Sequence, residues 1–277
     1  MHLPSLNPDQ GVVWITGASS GIGRALALRM ARDGFRVAVT ARSHDNLVAL
    51  ATEAHGLSGS IIVVDGDVTV AQDMERVMAS IEYEHGTLAL AVLNAGVYIP
   101  VHGEDLHVSD FEKTFAVNLS GVVNCLAPAL RHMRARGQGR VAIVSSVTGY
   151  GGLPTSGAYG ATKAALINLA ESLKFDLDKI GIRIQVINPG FVKTAATAQN
   201  EFPMPALISP EEAADRILAG LKRDAFEITF PRRFTTVLKL LQFLPYSLYF
   251  PLINRATGWN KRPVKASRDS GEQTSSS

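Results

Sequence analysis

The sequence is poor in cysteine, in net charge and in uninterrupted apolar runs, and each shortage excludes a class of protein. Cys125 is the single cysteine in 277 residues, which excludes an internal disulfide framework. No cation or base flanks it, so we predict a small buried side chain rather than a nucleophile. The seven histidines lack the spacing of metal ligands, so no metal site is predicted. A formal net charge of +2 gives no reason to expect a nucleic-acid partner.

Long apolar segments are also scarce. The N-terminus has no basic run followed by an apolar stretch, so we predict no signal peptide and a cytoplasmic protein. The most apolar part of the chain is 234–253, but Lys239, Gln242, Pro245 and Pro251 interrupt it. The ~18 uninterrupted apolar residues that a membrane-spanning helix needs are therefore missing.

Short apolar runs alternate with helical patterns from residue 12 to about residue 229. The runs are almost continuously hydrophobic, as in parallel strands covered on both faces. They predict an α/β fold: a Rossmann-like, doubly wound, seven-stranded parallel sheet with helices on both faces. The predicted strands are 12–16, 36–40, 60–64, 90–94, 140–145, 183–187 and 226–229. The predicted helices are 22–33, 44–55, 70–85, 109–136, 157–179 and 210–222.

The domain boundaries follow from composition. No linker rich in proline, glycine or serine divides residues 11–230, so we predict one catalytic domain over that range. Residues 231–262 are predicted to form an apolar, basic-flanked helical extension. We expect residues 1–10 and the polar tail 265–277 to be disordered.

The stretch TGASSGIGRAL, residues 16–26, follows the first predicted strand and opens the first helix. Gly17, Gly21 and Gly23 permit a tight turn and a close approach of the backbone to a pyrophosphate, which would lie at the positive end of the helix. Glycines in such a turn can also be purely structural. Their place after the first strand of an α/β pattern favours nucleotide binding.

Tyr159 and Lys163 lie four residues apart in a predicted helix and so project from one face. A tyrosine hydroxyl has a pKa of about 10 in water, which makes it a poor acid–base catalyst at neutral pH. A nearby lysine ammonium and the positive nicotinamide of an oxidised cofactor would lower that pKa. The pair alone is weak evidence, since such pairs occur by chance in many helices.

Taken together, the Gly-x-x-x-Gly-x-Gly turn and the Tyr-x-x-x-Lys pair resemble the short-chain dehydrogenase/reductase family, over residues 11–229. The resemblance implies that Ser146, thirteen residues before Tyr159, hydrogen-bonds the substrate oxygen, with Ser145 as the alternative. It implies that Tyr159 exchanges the proton and that Lys163 also holds the nicotinamide ribose. Asn118, in FAVNLSG, would help to maintain a water path through Lys163.

The same resemblance implies the cofactor-binding residues. DGDVT (65–69) would contact the adenine ring, LNAG (93–96) would face the cofactor, and NPGFVKT (188–194) would close over the carboxamide. Leu93 stands where the family has asparagine, which we interpret as a packing change. The implied residues are Gly17, Ser19, Ser20, Gly21, Ile22, Gly23, Asp67, Val68, Asn94, Ala95, Gly96, Tyr159, Lys163, Pro189, Gly190, Val192 and Thr194.

The end of the second predicted strand indicates which cofactor is used. A carboxylate there would bind the ribose 2′-hydroxyl of NAD, but the sequence has Ala41 followed by Arg42. A guanidinium suits a 2′-phosphate, so we predict NADP, with NADPH preferred over NADH. The alternative is that Arg42 is only a solvated surface cation.

These features predict an NADP(H)-dependent oxidoreductase that reduces a carbonyl or oxidises the alcohol. The segment 191–209, where the family builds its substrate lid, is mostly small and apolar, which favours a lipophilic substrate. The alternative from another class is a non-catalytic NADPH-binding sensor or scaffold protein.

The extension suggests further partners. Phe234, Val237, Leu238, Leu241 and Leu244 fall on one helical face, and Thr235, Lys239 and Gln242 on another. Eight lysines and arginines and no acidic residue lie between 232 and 268, a pattern that suits peripheral contact with a membrane through 232–262. The alternative is a helical pair that packs over the substrate pocket or at a dimer contact. Family resemblance implies a homodimer through 109–136 and 157–179.

Overall fold

The computed structural model describes residues 5–199 and 203–264. Seven parallel strands form one sheet in the order β3-β2-β1-β4-β5-β6-β7, which confirms the predicted doubly wound α/β fold. The strands are β1 Val12–Thr16, β2 Arg36–Thr40, β3 Ser60–Val63, β4 Leu88–Leu93, β5 Gly139–Val144, β6 Ile182–Pro189 and β7 Glu227–Phe230. The helices are α1 Gly21–Arg32, α2 His44–Glu53, α3 Ala71–Ser80, α4 Val108–Phe115, α5 Gly121–Arg136, α6 Gly157–Leu177, α7 Pro210–Leu221, α8 Arg232–Leu241 and α9 Tyr246–Thr257.

Two hydrophobic clusters, one on each face of the sheet, form the core. All five residues of β1 are buried, as expected for a central strand covered on both sides. Cys125 is buried in one of these clusters, and burial raises the pKa of its thiol. The prediction of a small buried side chain at Cys125 is therefore confirmed.

The predicted helix 109–136 is not a single regular α-helix. A π-helical turn, Ala116–Ser120, separates α4 from α5. Such turns insert an extra residue into the helical repeat and are frequent at functional sites. The insertion carries Asn118, whose side chain is fully buried. The predicted helix 70–85 likewise ends in a π-helical turn, Ile81–His85, after α3.

The N-terminal segment corrects one expectation. Within the segment that we expected to be disordered, Leu6 is only 2% exposed and Pro8–Gln10 forms a 3-10 turn. The Asn7 side chain accepts a hydrogen bond from the Asp9 N–H at 3.1 Å, which caps this turn. The composition of residues 1–10 did not reveal that the Leu6 side chain would be buried. Residues 1–4 and 265–277, whose disorder we also predicted, lie outside the described residues.

The C-terminal extension forms two short helices, α8 and α9, with Pro245 as the N-cap of the second. Pro251 lies inside α9, between the buried side chains of Tyr249 and Ile253, and does not end the helix. Of the predicted apolar face, Phe234, Leu238, Leu241 and Leu244 are partly buried. The exceptions are Val237, which is 54% exposed, and Thr235, which was predicted on the other face and is 1% exposed. No helix in the described part of the chain is long and apolar enough to span a membrane.

Candidate active site

The turn between β1 and α1 is built for close backbone contact. Gly17 (φ +66°) and Gly21 (φ +55°) adopt left-handed conformations that favour glycine. A Cβ on Gly17 would lie 2.7 Å from Cα of Ala95, and a Cβ on Gly23 would lie 2.5 Å from Nδ2 of Asn94. Side chains at these positions would therefore force apart the glycine turn and the end of β4.

Asn94 ties the glycine turn to the centre of the sheet. Its Nδ2 donates to the carbonyl oxygens of Thr16 at 3.0 Å and Gly17 at 3.2 Å. The backbone N–H groups of Asn94 and Ala95 both donate to the Thr16 hydroxyl, at 3.0 and 3.1 Å. Leu93, the residue before Asn94, is buried in the core, as expected for a packing change.

A cavity of about 560 Å³ brings the predicted residues together where the strands end. Of the predicted residues, only Gly23 and Asn118 do not line it; Gly23 packs against Gly17 and Asn94, and Asn118 is fully buried. The predicted residues on its wall are Gly17, Ser19, Ser20, Gly21, Ile22, Arg42, Asp67, Val68, Asn94, Ala95, Gly96, Ser146, Tyr159, Lys163, Pro189, Gly190, Val192 and Thr194.

Arg42 and Asp67 follow the neighbouring strands β2 and β3 on the cavity wall. The Arg42 side chain is exposed and follows Ala41, which is also on the wall. The Asp67 carboxylate accepts hydrogen bonds from the Thr69 N–H at 2.9 Å and from the Thr69 hydroxyl at 2.8 Å. The Asp67 side chain is therefore committed to its own turn, while Arg42 projects outward.

Tyr159 and Lys163 lie side by side on α6. The Lys163 Nζ is 5.3 Å from the centre of the Tyr159 ring and donates to the Val144 carbonyl oxygen at 2.8 Å. Lys163 is only 3% exposed, and burial lowers its pKa to about 8. The ammonium is therefore mostly charged at neutral pH but is close to its titration range.

Burial dominates the environment of Tyr159. It raises the pKa of the hydroxyl to about 12, Tyr98 adds to that rise, and Ser146 offsets only part of it. The lowering of this pKa that we expected from Lys163 together with an oxidised nicotinamide stays a prediction. At this pKa the hydroxyl is protonated at neutral pH and is a weak acid, so it can give up its proton only where the phenolate is stabilised.

The two candidate serines are distinguished by their hydrogen bonds. The Ser145 hydroxyl is buried and donates to the Lys163 carbonyl oxygen at 2.7 Å. The Ser146 hydroxyl caps the 3-10 turn Val147–Gly149, accepting from the Thr148 N–H at 3.2 Å, and it lowers the pKa of Tyr159. Ser145 supports α6, whereas Ser146 faces the tyrosine that is predicted to exchange the proton.

Asn118 connects the π-helical turn to the cavity wall. Its Oδ1 accepts from the Val97 N–H at 2.7 Å, and its Nδ2 donates to the Val97 carbonyl at 2.9 Å and to Thr162 Oγ1 at 3.3 Å. In this structure Asn118 therefore holds the loop that follows Gly96. The water path that the resemblance implies stays a prediction.

Sequence reasoning missed Tyr98, which lines the cavity beside Tyr159. The two rings meet edge to face, with centroids 5.2 Å apart. The Tyr98 hydroxyl lies 2.6 Å from Oγ1 of Thr155, a residue held at φ +58°, which is rare for a β-branched side chain. The nearness of Tyr98 to Gly96 was the available signal, but the conformation of Thr155 has no signature in the sequence.

The C-terminal extension contacts three segments around the cavity without lining it. Phe234 packs against Phe191 with centroids 5.6 Å apart, and the Tyr249 hydroxyl donates to the Gly152 carbonyl at 2.9 Å. Arg262 forms an ion pair with Glu104. Within the described residues 203–264, no side chain lines the main cavity. The extension therefore braces the site from outside.

The residues present fit a nicotinamide dinucleotide. The glycine turn lines the cavity and opens directly into the positive end of α1, where a pyrophosphate would be bound. The loop Pro189–Thr194 lies close to the turn, since a Cβ on Gly21 would lie 3.2 Å from the Thr194 methyl group. Among the described residues, no group of three His, Cys, Asp or Glu side chains could hold a metal ion.

A Rossmann-like sheet with a glycine turn and a Tyr–Lys helix at one cavity defines an oxidoreductase. The family model described as short chain dehydrogenase matches residues 11–203. An uncharacterised oxidoreductase of Myxococcus xanthus is 38% identical over 236 residues, which cover 85% of this chain and 93% of the relative. The chain belongs to the short-chain dehydrogenase family.

Other relatives show the range of the family. A glucose 1-dehydrogenase of Gluconobacter oxydans is 35% identical over 184 residues, covering 66% of this chain and 69% of the relative. An alcohol dehydrogenase of the archaeon Thermococcus sibiricus, solved with 5-hydroxy-NADP, is 28% identical and superposes with a TM-score of 0.72. That match covers 79% of this chain and 95% of the archaeal one.

Proposed function

We propose that the protein is an NADP(H)-dependent oxidoreductase that reduces the carbonyl of a lipophilic substrate, or oxidises the corresponding alcohol. The observation that carries the proposal is the joint presence of Ser146, Tyr159 and Lys163 on one cavity wall. Tyr159 carries its proton at neutral pH, and the neighbouring Ser146 lowers the pKa of its hydroxyl. This arrangement can polarise a carbonyl oxygen and protonate it.

In the proposed reaction each side chain has a distinct task. Ser146 donates a hydrogen bond to the substrate oxygen, and Tyr159 gives its hydroxyl proton to that oxygen during reduction, or removes it during oxidation. Lys163 stabilises the phenolate that remains, from its position 5.3 Å from the ring centre. A bound nicotinamide cofactor would supply or accept the hydride, held by the glycine turn and the loop Pro189–Thr194.

The cavity wall supports a lipophilic substrate. The charged residues on the wall are Arg42, Asp67 and Lys163, of which only Lys163 is close to Tyr159. Beside these, the catalytic end presents Val97, Tyr98, Val117 and Val144, and the described part of the lid adds Ala195 and Ala196. Such a surface favours an apolar ketone or aldehyde over a sugar or an acid.

The test is NADPH oxidation across ketones of graded chain length, with glucose and NADP as the polar comparison. We expect kcat/KM to rise with chain length, because each added methylene contributes about 0.8 kcal/mol when buried. Turnover of glucose alone would reject the lipophilic assignment. Tight NADPH binding without turnover of any substrate would favour the sensor or scaffold alternative.

The preference for NADPH is expected to depend on Arg42. Its exposed guanidinium follows β2, at the position where a 2′-phosphate would be bound, and charge-assisted hydrogen bonds contribute about 1.5–3 kcal/mol. Arg42→Ala should therefore raise the KM for NADPH by roughly 10- to 100-fold and leave that for NADH unchanged. Steady-state kinetics with both cofactors measures this, with Arg32→Ala at the other end of α1 as the control. An unchanged KM for NADPH would show that Arg42 is only a solvated surface cation.

We further propose a cytoplasmic homodimer paired through the helices α5 and α6. Val123 on α5 is 45% exposed and Phe175 on α6 is 76% exposed. Large exposed apolar side chains on two long helices are typical of a surface that is covered in an assembly.

Peripheral membrane contact through 232–262 is also part of the proposal. The outer side of α8 and α9 exposes Leu240, Phe243, Tyr246 and Phe250, each at least 57% accessible. The same range contains six lysines and arginines and no acidic residue. Exposed aromatic side chains flanked by cations suit the interface of an anionic bilayer.

The membrane proposal predicts the behaviour of Phe243→Ser/Tyr246→Ser. Because burying an aromatic side chain contributes more than 1.4 kcal/mol, the double variant should lose at least about tenfold in vesicle partitioning. Co-sedimentation with vesicles of phosphatidylcholine and phosphatidylserine measures this. Tyr83→Ser is the matched control, since Tyr83 is 85% exposed on a different surface. Equal sedimentation of the double variant and the wild type would reject membrane contact through this face.

A further inference from the structure

A partly buried carboxylate joins three segments behind the candidate active site. Glu227 on β7 has a side chain that is 20% exposed. Its Oε1 accepts hydrogen bonds from the Tyr150 hydroxyl and from Nδ2 of Asn188, the latter at 2.7 Å. Its Oε2 pairs with the ammonium of Lys239 on α8 at 2.5 Å. We name these four residues the Glu227 cluster.

The Glu227 carboxylate at the centre of this cluster is ionised. Burial tends to raise the pKa of Glu227, but the hydrogen bonds from Lys239, Tyr150 and Asn188 outweigh it and hold the pKa below its usual range. The Lys239 ammonium also lies 5.5 Å from the centre of the Tyr150 ring. The carboxylate thus remains charged while it binds three donors from three separate segments.

Through Tyr150, the cluster is connected to Ser146. Tyr150 directly follows the 3-10 turn Val147–Gly149, which Ser146 caps. The backbone closes this turn with hydrogen bonds from Gly149 N–H to the Ser146 carbonyl at 3.0 Å and from Tyr150 N–H to the Val147 carbonyl at 3.1 Å. The turn packs on α6, because a Cβ on Gly149 would lie 2.9 Å from the Lys163 carbonyl oxygen. A shift of Tyr150 is therefore transmitted to Ser146.

Through Asn188, the cluster is connected to the loop Pro189–Thr194. Asn188 is fully buried at the end of β6 and is followed by Pro189 and Gly190 on the cavity wall. The Thr229 hydroxyl donates to the Asn188 carbonyl at 3.0 Å, and the Gly190 N–H donates to the Phe230 carbonyl at 2.8 Å. The carboxylate that anchors the serine turn thus also anchors this loop.

We propose that Glu227 is a positioning residue that sets the serine turn and the loop Pro189–Thr194 at a fixed separation, and that Lys239 couples this setting to the C-terminal helices. Glu227 does not line the cavity, so it acts through Tyr150 and Asn188. The inference rests on the proposed function, because it matters for turnover only if Ser146 binds the substrate oxygen. It gives the C-terminal extension a direct physical connection to the catalytic centre.

The test combines kinetics with hydrogen–deuterium exchange on the full chain. Glu227→Gln and Tyr150→Phe should each lower kcat roughly tenfold, since small misplacements of catalytic groups cost up to about 100-fold. Because both remove the same connection, the double variant should be no slower than the worse single variant. The KM for the ketone should change little. Peptides covering 146–150 and 188–190 should exchange faster in Glu227→Gln, and this measurement needs no turnover.

A matched control is Glu212→Gln, which removes a carboxylate from an exposed ion pair with Arg216 on α7. It should alter neither kcat nor exchange at the two segments. Normal kcat and unchanged exchange in Glu227→Gln, or a lower melting temperature alone, would overturn the inference. Additive effects of the two substitutions on kcat would do the same. An inactive wild-type protein would instead contradict the proposed function, while the exchange experiment would still decide the role of Glu227.

Discussion

Replacing Tyr159 by phenylalanine is expected to lower kcat by about a thousandfold, the middle of the range that general acid–base catalysis contributes. The substitution removes one oxygen atom and keeps the ring that packs edge to face against Tyr98. The proton donor is lost, whereas the glycine turn and the loop Pro189–Thr194 are untouched. NADPH binding, followed by cofactor fluorescence, should therefore remain close to that of the wild type.

The control for this experiment is Tyr83→Phe, the same chemical change at a side chain that is 85% exposed. It should turn over ketones at the wild-type rate. Undiminished activity in Tyr159→Phe would refute the assignment of the acid. A parallel loss of NADPH binding would show instead that the phenol oxygen is needed to hold the cofactor.

The second large effect is expected for Gly17→Ala. Gly17 has φ +66°, where an alanine is strained by about 1–2 kcal/mol. Its Cβ would also lie 2.7 Å from Cα of Ala95, so the glycine turn or the end of β4 must move. Both segments line the cavity, and each 1.4 kcal/mol of lost binding is tenfold in affinity. We expect the Kd for NADPH to rise by about 100-fold or more, as measured by fluorescence titration.

Gly56→Ala separates the strain of a positive φ from the clash of the new Cβ with its neighbours. Gly56 also has a positive φ, +84°, but a Cβ there would have no atom within 4 Å. That variant should be slightly less stable and should bind NADPH normally. A Gly17→Ala protein with unchanged affinity would show that the turn does not approach the cofactor closely.

The fold was predictable because its signals are local and repeated. Each parallel strand is a short apolar run covered on both faces, and each helix has its own periodicity. The glycine turn was predictable for a similar reason, since its function requires the absence of side chains. The gathering of Arg42, Asn94, Ser146 and Tyr159 at one cavity then follows from the rule that parallel strands end at the same edge.

The features that sequence reasoning missed depend on contacts between distant segments. The π-helical turn at Asn118 arises where the Asn118 amide bonds both backbone groups of Val97. The burial of Thr235 depends on how α8 rests on the sheet, which the periodicity of α8 alone does not determine. The raised pKa of Tyr159 likewise reflects burial by surrounding segments, which its spacing from Lys163 does not reveal.

The ion pair between Arg262 and Glu104 bears on the order in which the protein folds during synthesis. The two residues are 158 positions apart, and Arg262 lies beyond the last described helix. During synthesis the loop at Glu104 emerges before Arg262 does. All seven strands also precede Arg262 in the chain, so the sheet can form before this loop acquires its final contact.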